Sequence, residues 1–233
     1  MSIWQELTAT EQALVWEVRE RVSRLHQHLP DNGLVVWTAG NVSERVPGLD
    51  LMVIKPSGVL YSELSAQAMV VTDLFGNKID CADGNEFQPS SDTFAHAYVY
   101  RHMPEVGGVV HTHSTYATAF AAVHEPIPVV LTMIADEFGG EIPIGPVAII
   151  GDDSIGEGIV ETLRESNSPA VLMGNHGPFT VGKDGLAAVK AAVMVEEVAR
   201  TVAVAKQIGE PKLLPEDIVS RLYQRYQHVY GQN

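Results

Sequence analysis

The chain has 233 residues, 45% of them hydrophobic, and no Pro-, Ser- or Gly-rich linker divides it, so one domain over residues 1–233 is expected. A formal net charge of −14 argues against nucleic acid or an anionic membrane as the general partner, and an anionic ligand would need a local basic site. The lone Cys81 cannot form an internal disulfide, the start lacks the layout of a secretion signal, and no apolar run is long enough to span a bilayer, so a cytoplasmic protein is expected.

Thr8-Ala-Thr-Glu11 fits a capping box, and Leu14, Val18, Val22 and Leu25 follow at helical spacing up to Pro30. His26 and His28, near the end of this helix, read as solvated or paired with its dipole. Strands are expected at residues 34–37, 42–46 and 51–54. Residues 70–73 and 78–80 flank Gly76-Asn77, a hairpin signal, so this half reads as antiparallel. Pro89-Ser-Ser-Asp92 opens a helix to about Arg101. Val106 to His113 reads as a buried strand, and Ser114 can cap a helix through Ala122. Further strands are expected at 129–133, 143–150, 170–173 and 179–181, with helices at 154–165, 185–208 and 215–228. Hairpins with helices between them predict an α/β fold of the layered α+β kind rather than a doubly wound parallel sheet.

Side chains alternate along a strand, so His111 and His113 project to one side. His176 lies in Gly174-Asn-His-Gly177, a turn after a strand. Three neutral imidazoles with an open position form the ligand set of a catalytic zinc site, and Asp92 could bind the metal or support a ligand. His96, four residues on, either supports the site or is a buried structural histidine. Anion-binding parts come from Lys55-Pro-Ser57-Gly58, from Ser90-Ser91 at a helix start, and from Gly40-Asn41. No nicotinamide fingerprint, Walker loop or zinc-hydrolase motif is present.

Gly40-Asn-Val-Ser43, Lys55-Pro-Ser-Gly58, Pro89-Ser-Ser-Asp-Thr93, His111-Thr-His113 and His176-Gly177 occur in this order. In this the chain resembles the class II aldolase and L-ribulose-5-phosphate 4-epimerase superfamily over almost its whole length. Asp92, Ala135-Asp136 and Tyr230-Gly-Gln232 are most similar to the epimerase branch. Ile134 departs from it, because the epimerases carry histidine at that place.

The resemblance implies a central, mainly antiparallel β-sheet sandwiched between α-helical layers, and a homotetramer with active sites between subunits. It implies zinc on His111, His113 and His176 with Asp92 at the metal. It implies a sugar-phosphate pocket of Gly40, Asn41, Lys55, Ser57, Gly58, Ser90 and Ser91, and a catalytic acid/base pair of Asp136 and Tyr230. The implied activity is C4 epimerisation of L-ribulose 5-phosphate to D-xylulose 5-phosphate by C3–C4 cleavage and readdition. The alternatives are an aldolase acting on a related ketose phosphate, such as L-fuculose 1-phosphate, and a non-catalytic module like the adducin head.

Overall fold

The computed structural model describes residues 3–229. Short apolar strands in this chain pair into one seven-stranded sheet. They are β1 (Asn41–Arg45), β2 (Leu51–Ile54), β3 (Val70–Asp73), β4 (Gly108–His111), β5 (Ile144–Gly145), β6 (Ala170–Met173) and β7 (Gly177–Gly182). Their order across the sheet is β3-β2-β1-β4-β7-β6-β5, antiparallel except for the β5–β6 pair.

The helices among the described residues are α1 (Ile3–Glu6), α2 (Ala9–His26), α3 (His28–Asp31), α4 (Thr93–His102), α5 (Thr115–Ala122), α6 (Thr132–Phe138), α7 (Ser154–Arg164), α8 (Gly185–Ile208) and α9 (Glu216–Val229). They cover both faces of the sheet because its strands are apolar on both sides. Val109, Val171, Met173, Phe179 and Val181 pack against α4 and α7. Their neighbours Val110, Ala170 and Leu172 point the other way, toward α5 and α8. Val53 and Val71 bury the Val15-Val18-Val22 face of α2. This is a mixed α/β fold with a mainly antiparallel sheet between helical layers, as expected.

Several local readings fail for identifiable reasons. Residues 34–37 form no strand: Val36 and Trp37 are 79% and 76% exposed, and Trp37 has φ +60°. Residues 78–80 do fold back antiparallel on β3, with Lys78 bridged to Thr72 and the Ile79 amide donating to the Val71 carbonyl at 2.9 Å, but they form no full strand; the Asp73 carboxylate also takes the amides of Phe75 and Asn77 in the turn. Val129 to Met133 is not a strand either; α6 begins at Thr132, and Ile134 and Phe138 bury one helical turn apart. In 143–150 only Ile144–Gly145 pairs, since Pro143 and Pro146 remove donors and confine it to the sheet edge.

His26 is buried rather than solvated. Its Nε2 accepts the Val42 N–H at 2.9 Å, so Nδ1 carries the proton toward the Val22 carbonyl at 2.7 Å, and burial pushes its pKa down to about 3. Cys81 is buried too, and burial pushes its thiol up to about 11, which suits a core residue and not a nucleophile.

The Thr8–Glu11 capping box forms as expected. At α5 the cap is different. Ser114 holds the N-cap position without a side-chain bond to the helix. Glu196, reaching from α8, instead accepts the amides of Tyr116 and Ala117 at 3.0 Å. Glu196 is buried, and a carboxylate at a helix N-terminus meets both the free amides and the helix dipole. Glu196→Ala should therefore cost about 2–3 kcal/mol in denaturant unfolding, and Glu196→Gln, which keeps one acceptor oxygen, distinctly less. An unchanged midpoint for Glu196→Ala would show that α5 does not need this cap.

Candidate metal centre and phosphate pocket

His111 ends β4 and is buried. Its Nδ1 lies 3.1 Å from the Pro178 carbonyl, which can only accept, so Nδ1 carries the proton and Nε2 presents a lone pair. His113 brings its own Nε2 to 2.8 Å from that atom. His176 arrives from the turn between β6 and β7, where Asn175 takes φ +55°. Gly177 has no substitute there, because a Cβ would stand 2.7 Å from the Thr112 carbonyl oxygen. One donor nitrogen from each of the three imidazoles lies within 4.8 Å of the others.

Beneath them, Asp92 at the start of α4 is buried. Asn41 Nδ2 donates to its Oδ2 at 2.6 Å, while Oδ1 has no partner among the described residues. Burial opposes ionisation of Asp92, yet the fields of His111 and His96 and the Asn41 bond hold its carboxyl below the usual range. Burial pushes His111 down to about 3 and lowers His176 as well, so both rings are neutral at neutral pH and could serve as ligands. Two Nε2 atoms 2.8 Å apart, a third imidazole and a buried carboxylate lining the same cavity form a donor set that fits a divalent cation such as Zn2+.

The same cavity, about 210 Å³ in volume, is lined on its other side by Gly40, Asn41, Lys55, Ser57, Gly58, Ser90 and Ser91. Gly40 takes φ +77°, and a Cβ on it would stand 2.9 Å from the His111 carbonyl oxygen. Lys55 is buried, and burial pushes its ammonium down to about 8. Two of its three donors go to the Thr38 and Pro56 carbonyls, at 3.1 and 3.3 Å, and the Tyr61 ring lies beside it. No carboxylate pairs with Lys55 among the described residues, so its charge is open to an anion in the cavity.

One expectation about this wall changes. The Ser90 amide is not free: it donates to the Lys55 carbonyl, as the Ser57 amide does to Gln88, and the two loops are joined at Pro56–Pro89. The Ser90 hydroxyl accepts from Asn41 Nδ2 at 3.0 Å. The Gly58 and Ser91 amides take no protein acceptor among the described residues, and both residues are exposed.

Asp136 does not line this cavity. It lies on α6, half-buried, with Oδ1 lacking a partner among the described residues. Tyr230 lies outside the described residues. His96, on α4, is buried beneath the site, and burial pushes its pKa down to about 4.

The sequence reading missed Phe179, whose ring stacks on His111 at 4.1 Å, and Tyr61, whose hydroxyl donates to the Ala39 and Gly40 carbonyls. Phe179 could have been found, because it lies two residues beyond Gly177 on a strand and pairs in register with His111. Tyr61 sits in a 3₁₀ turn that carries no such periodicity.

A mainly antiparallel sheet between helical layers, with a three-histidine cluster that could hold a metal, is the arrangement of a class II aldolase-like fold. The chain belongs to the family described as class II aldolase and adducin N-terminal domain, which matches residues 20–203. Among solved structures it is similar to an L-fuculose 1-phosphate aldolase, at 28% identity over 91% of this chain and 96% of that one, with TM-score 0.83. It is also similar to YgbL from Klebsiella pneumoniae, at 29% identity over 89% of this chain and 98% of that one, with TM-score 0.77. An L-fuculose-1-phosphate aldolase from Thermus thermophilus shares the fold at 23% identity, covering 86% of this chain and 100% of that one, with TM-score 0.70.

His113→Ala and His176→Ala should each abolish stoichiometric retention of a divalent metal after dialysis, read by elemental analysis; full retention by either would remove that residue from the ligand set. For Lys55 the sign is set by burial: the group is charged below about pH 8 and neutral above it. Affinity for inorganic phosphate should therefore fall as pH rises through 8, and Lys55→Met should flatten that fall. A wild-type titration that is flat across this range would show that Lys55 does not read the anion.

Proposed function

We propose that this protein is a divalent-metal enzyme that breaks and remakes the C3–C4 bond of a ketose phosphate. We read its net reaction as C4 epimerisation of L-ribulose 5-phosphate to D-xylulose 5-phosphate. The observation that carries this reading is one cavity with two unlike walls. One wall holds His111, His113, His176 and Asp92, and the other holds the buried ammonium of Lys55 beside the free amides of Gly58 and Ser91. The three-histidine cluster argues against a non-catalytic adducin-head-like module, which has no need of it.

The chemistry follows from the substrate. The C4 hydrogen is not α to the C2 carbonyl, so it is not acidic enough for direct removal. Cleavage of C3–C4 avoids that step. A divalent cation on the histidine cluster supplies Lewis-acid stabilisation of the negative charge that develops beside the carbonyl. Lys55, the Ser57 and Ser91 hydroxyls and the Gly58 and Ser91 amides hold the phosphate. That grip keeps the aldehyde fragment in place while its carbonyl turns to present the opposite face. Asp136 and Tyr230 serve as the acid/base pair. One takes the C4 hydroxyl proton as the bond breaks, and the other returns a proton to the new hydroxyl as the bond re-forms. Asp136 does not line the cavity within one chain, so this role requires sites completed between subunits of a homotetramer.

The second reading is an aldolase on the same site, which releases the fragments instead of rejoining them. Similarity to an L-fuculose 1-phosphate aldolase over 91% of the chain favours it. Asp92, Asp136 and Tyr230, which resemble the epimerase pattern, favour the first.

Incubation with L-ribulose 5-phosphate decides between them. Epimerisation with no trapped aldehyde, no solvent deuterium at C4 and complete loss on chelation is the expected result. Free aldehyde in proportion to turnover would establish the aldolase, and no turnover of either kind would refute the substrate. Tyr230→Phe should lose about 100-fold or more in kcat while retaining its metal. Near-normal turnover by that variant would remove Tyr230 from the chemistry.

A further inference from the structure

Below the cavity floor, α4 and β1 share a chain of buried polar groups that the proposed reaction does not use. His96 Nδ1 lies 2.7 Å from Ser43 Oγ, and Ser43 Oγ lies 2.8 Å from the Tyr100 hydroxyl. All three residues are buried. Proton counting fixes the direction of donation. The Tyr100 phenol has one proton to give, and among the described residues Ser43 Oγ is the acceptor it reaches. Tyr100 therefore donates to Ser43, and the Ser43 proton goes on to His96 Nδ1. With Nδ1 as the acceptor, a neutral His96 ring carries its own proton on Nε2.

That Nε2 is buried and has no partner among the described residues, and the same is true of Asp92 Oδ1. One is a donor without an acceptor; the other is an acceptor without a donor. Buried polar groups are rarely left unpaired. Asp92 and His96 stand one turn apart at the start of α4, joined by the His96 N–H to Asp92 carbonyl bond at 3.1 Å. Asn41 Oδ1 is a second buried, unpartnered acceptor, but it is uncharged, and a hydrogen bond to a carboxylate is the stronger.

We propose that His96 is the positioning residue for Asp92. The Tyr100–Ser43 relay fixes the Nε2–H tautomer of His96 and presents that N–H to the Asp92 carboxylate through one buried water. The Asp92 carboxylate is thereby held in place beside the histidine cluster, so His96 acts on metal binding without touching the metal. This rests on the metal-site part of the proposed function and not on the identity of the sugar. Hydrogen-bond partners of this kind orient a metal's surroundings and commonly change affinity about 10–100-fold when removed.

The test uses the full chain, first metal-free and then loaded. Nitrogen-15 NMR of the metal-free protein should show His96 as the neutral Nε2–H tautomer, and Ser43→Ala should lose that fixed state. Chelator competition then reads Zn2+ affinity. His96→Leu should weaken it about 10–100-fold. His96→Gln, whose side-chain N–H stands near the Nε2 position, should recover most of the loss. Circular dichroism reports whether each variant folds, and if His96→Leu does not, Ser43→Ala and His96→Gln carry the test. An Nδ1–H tautomer in the wild type, or wild-type Zn2+ affinity in folded His96→Leu, would overturn the proposal. No Zn2+ binding by the wild type would overturn both this and the metal site. Failure to turn over L-ribulose 5-phosphate would count against the reaction alone, because neither readout involves turnover.

Discussion

The register that sets Asn41 against His111 across β1 and β4 is the constraint on which the site depends. With a side-chain period of two, it sends Asn41, Ser43, Val109 and His111 to one face and Val42, Glu44 and Val110 to the other. A slip of one residue would exchange those faces, leaving the imidazole against α8 and aliphatic side chains against α4. In the observed register, Asn41 meets Asp92 and Ser43 meets His96, while His111 stacks on Phe179. The polar floor of the cavity and the apolar core beneath it therefore follow from one strand pairing.

The cavity also resolves a conflict in the charge distribution. A chain of net charge −14 repels anions at long range, yet an anion site needs only a local cation shielded from competing carboxylates. Lys55 meets this condition because its partners are the Thr38 and Pro56 carbonyls and the Tyr61 ring. Carbonyl dipoles orient the ammonium without neutralising it. Burial that weakens its hold on the proton also makes its charge act through a poorer dielectric, so an entering anion gains more from it than from an exposed lysine.

Rigidity around the histidines comes from distant parts of the chain. His113 is followed directly by α5, and the start of that helix is held by Glu196 from α8. His176 is set by a turn whose shape depends on the Thr112 carbonyl packed against Gly177. The three ligand candidates thus rest on a central strand, a capped helix start and a glycine-dependent turn, with little freedom to relax apart. Such preorganisation is what a catalytic metal site requires of its scaffold.

Much of this was legible in the sequence, for a physical reason. His-x-His at a strand end, a histidine between glycines, and lysine and serine in proline- and glycine-marked turns are local patterns, and local sterics and strand periodicity give them meaning. The layered fold was readable from the same alternation, and the α2 capping box from four consecutive residues. Tertiary structure decided what depends on a distant partner. Residues 34–37 have strand composition but no strand to pair with, and the run at 129–133 gives way to α6 because Ile134 and Phe138 find a core. His26 is buried because the Val42 amide reaches it, α5 is capped by a glutamate 80 residues from Tyr116, and the Ser90 amide is spent on Lys55. Hydrogen bonds of that range leave no periodic trace in a chain, because their partners are chosen by how the layers dock and not by their neighbours in sequence.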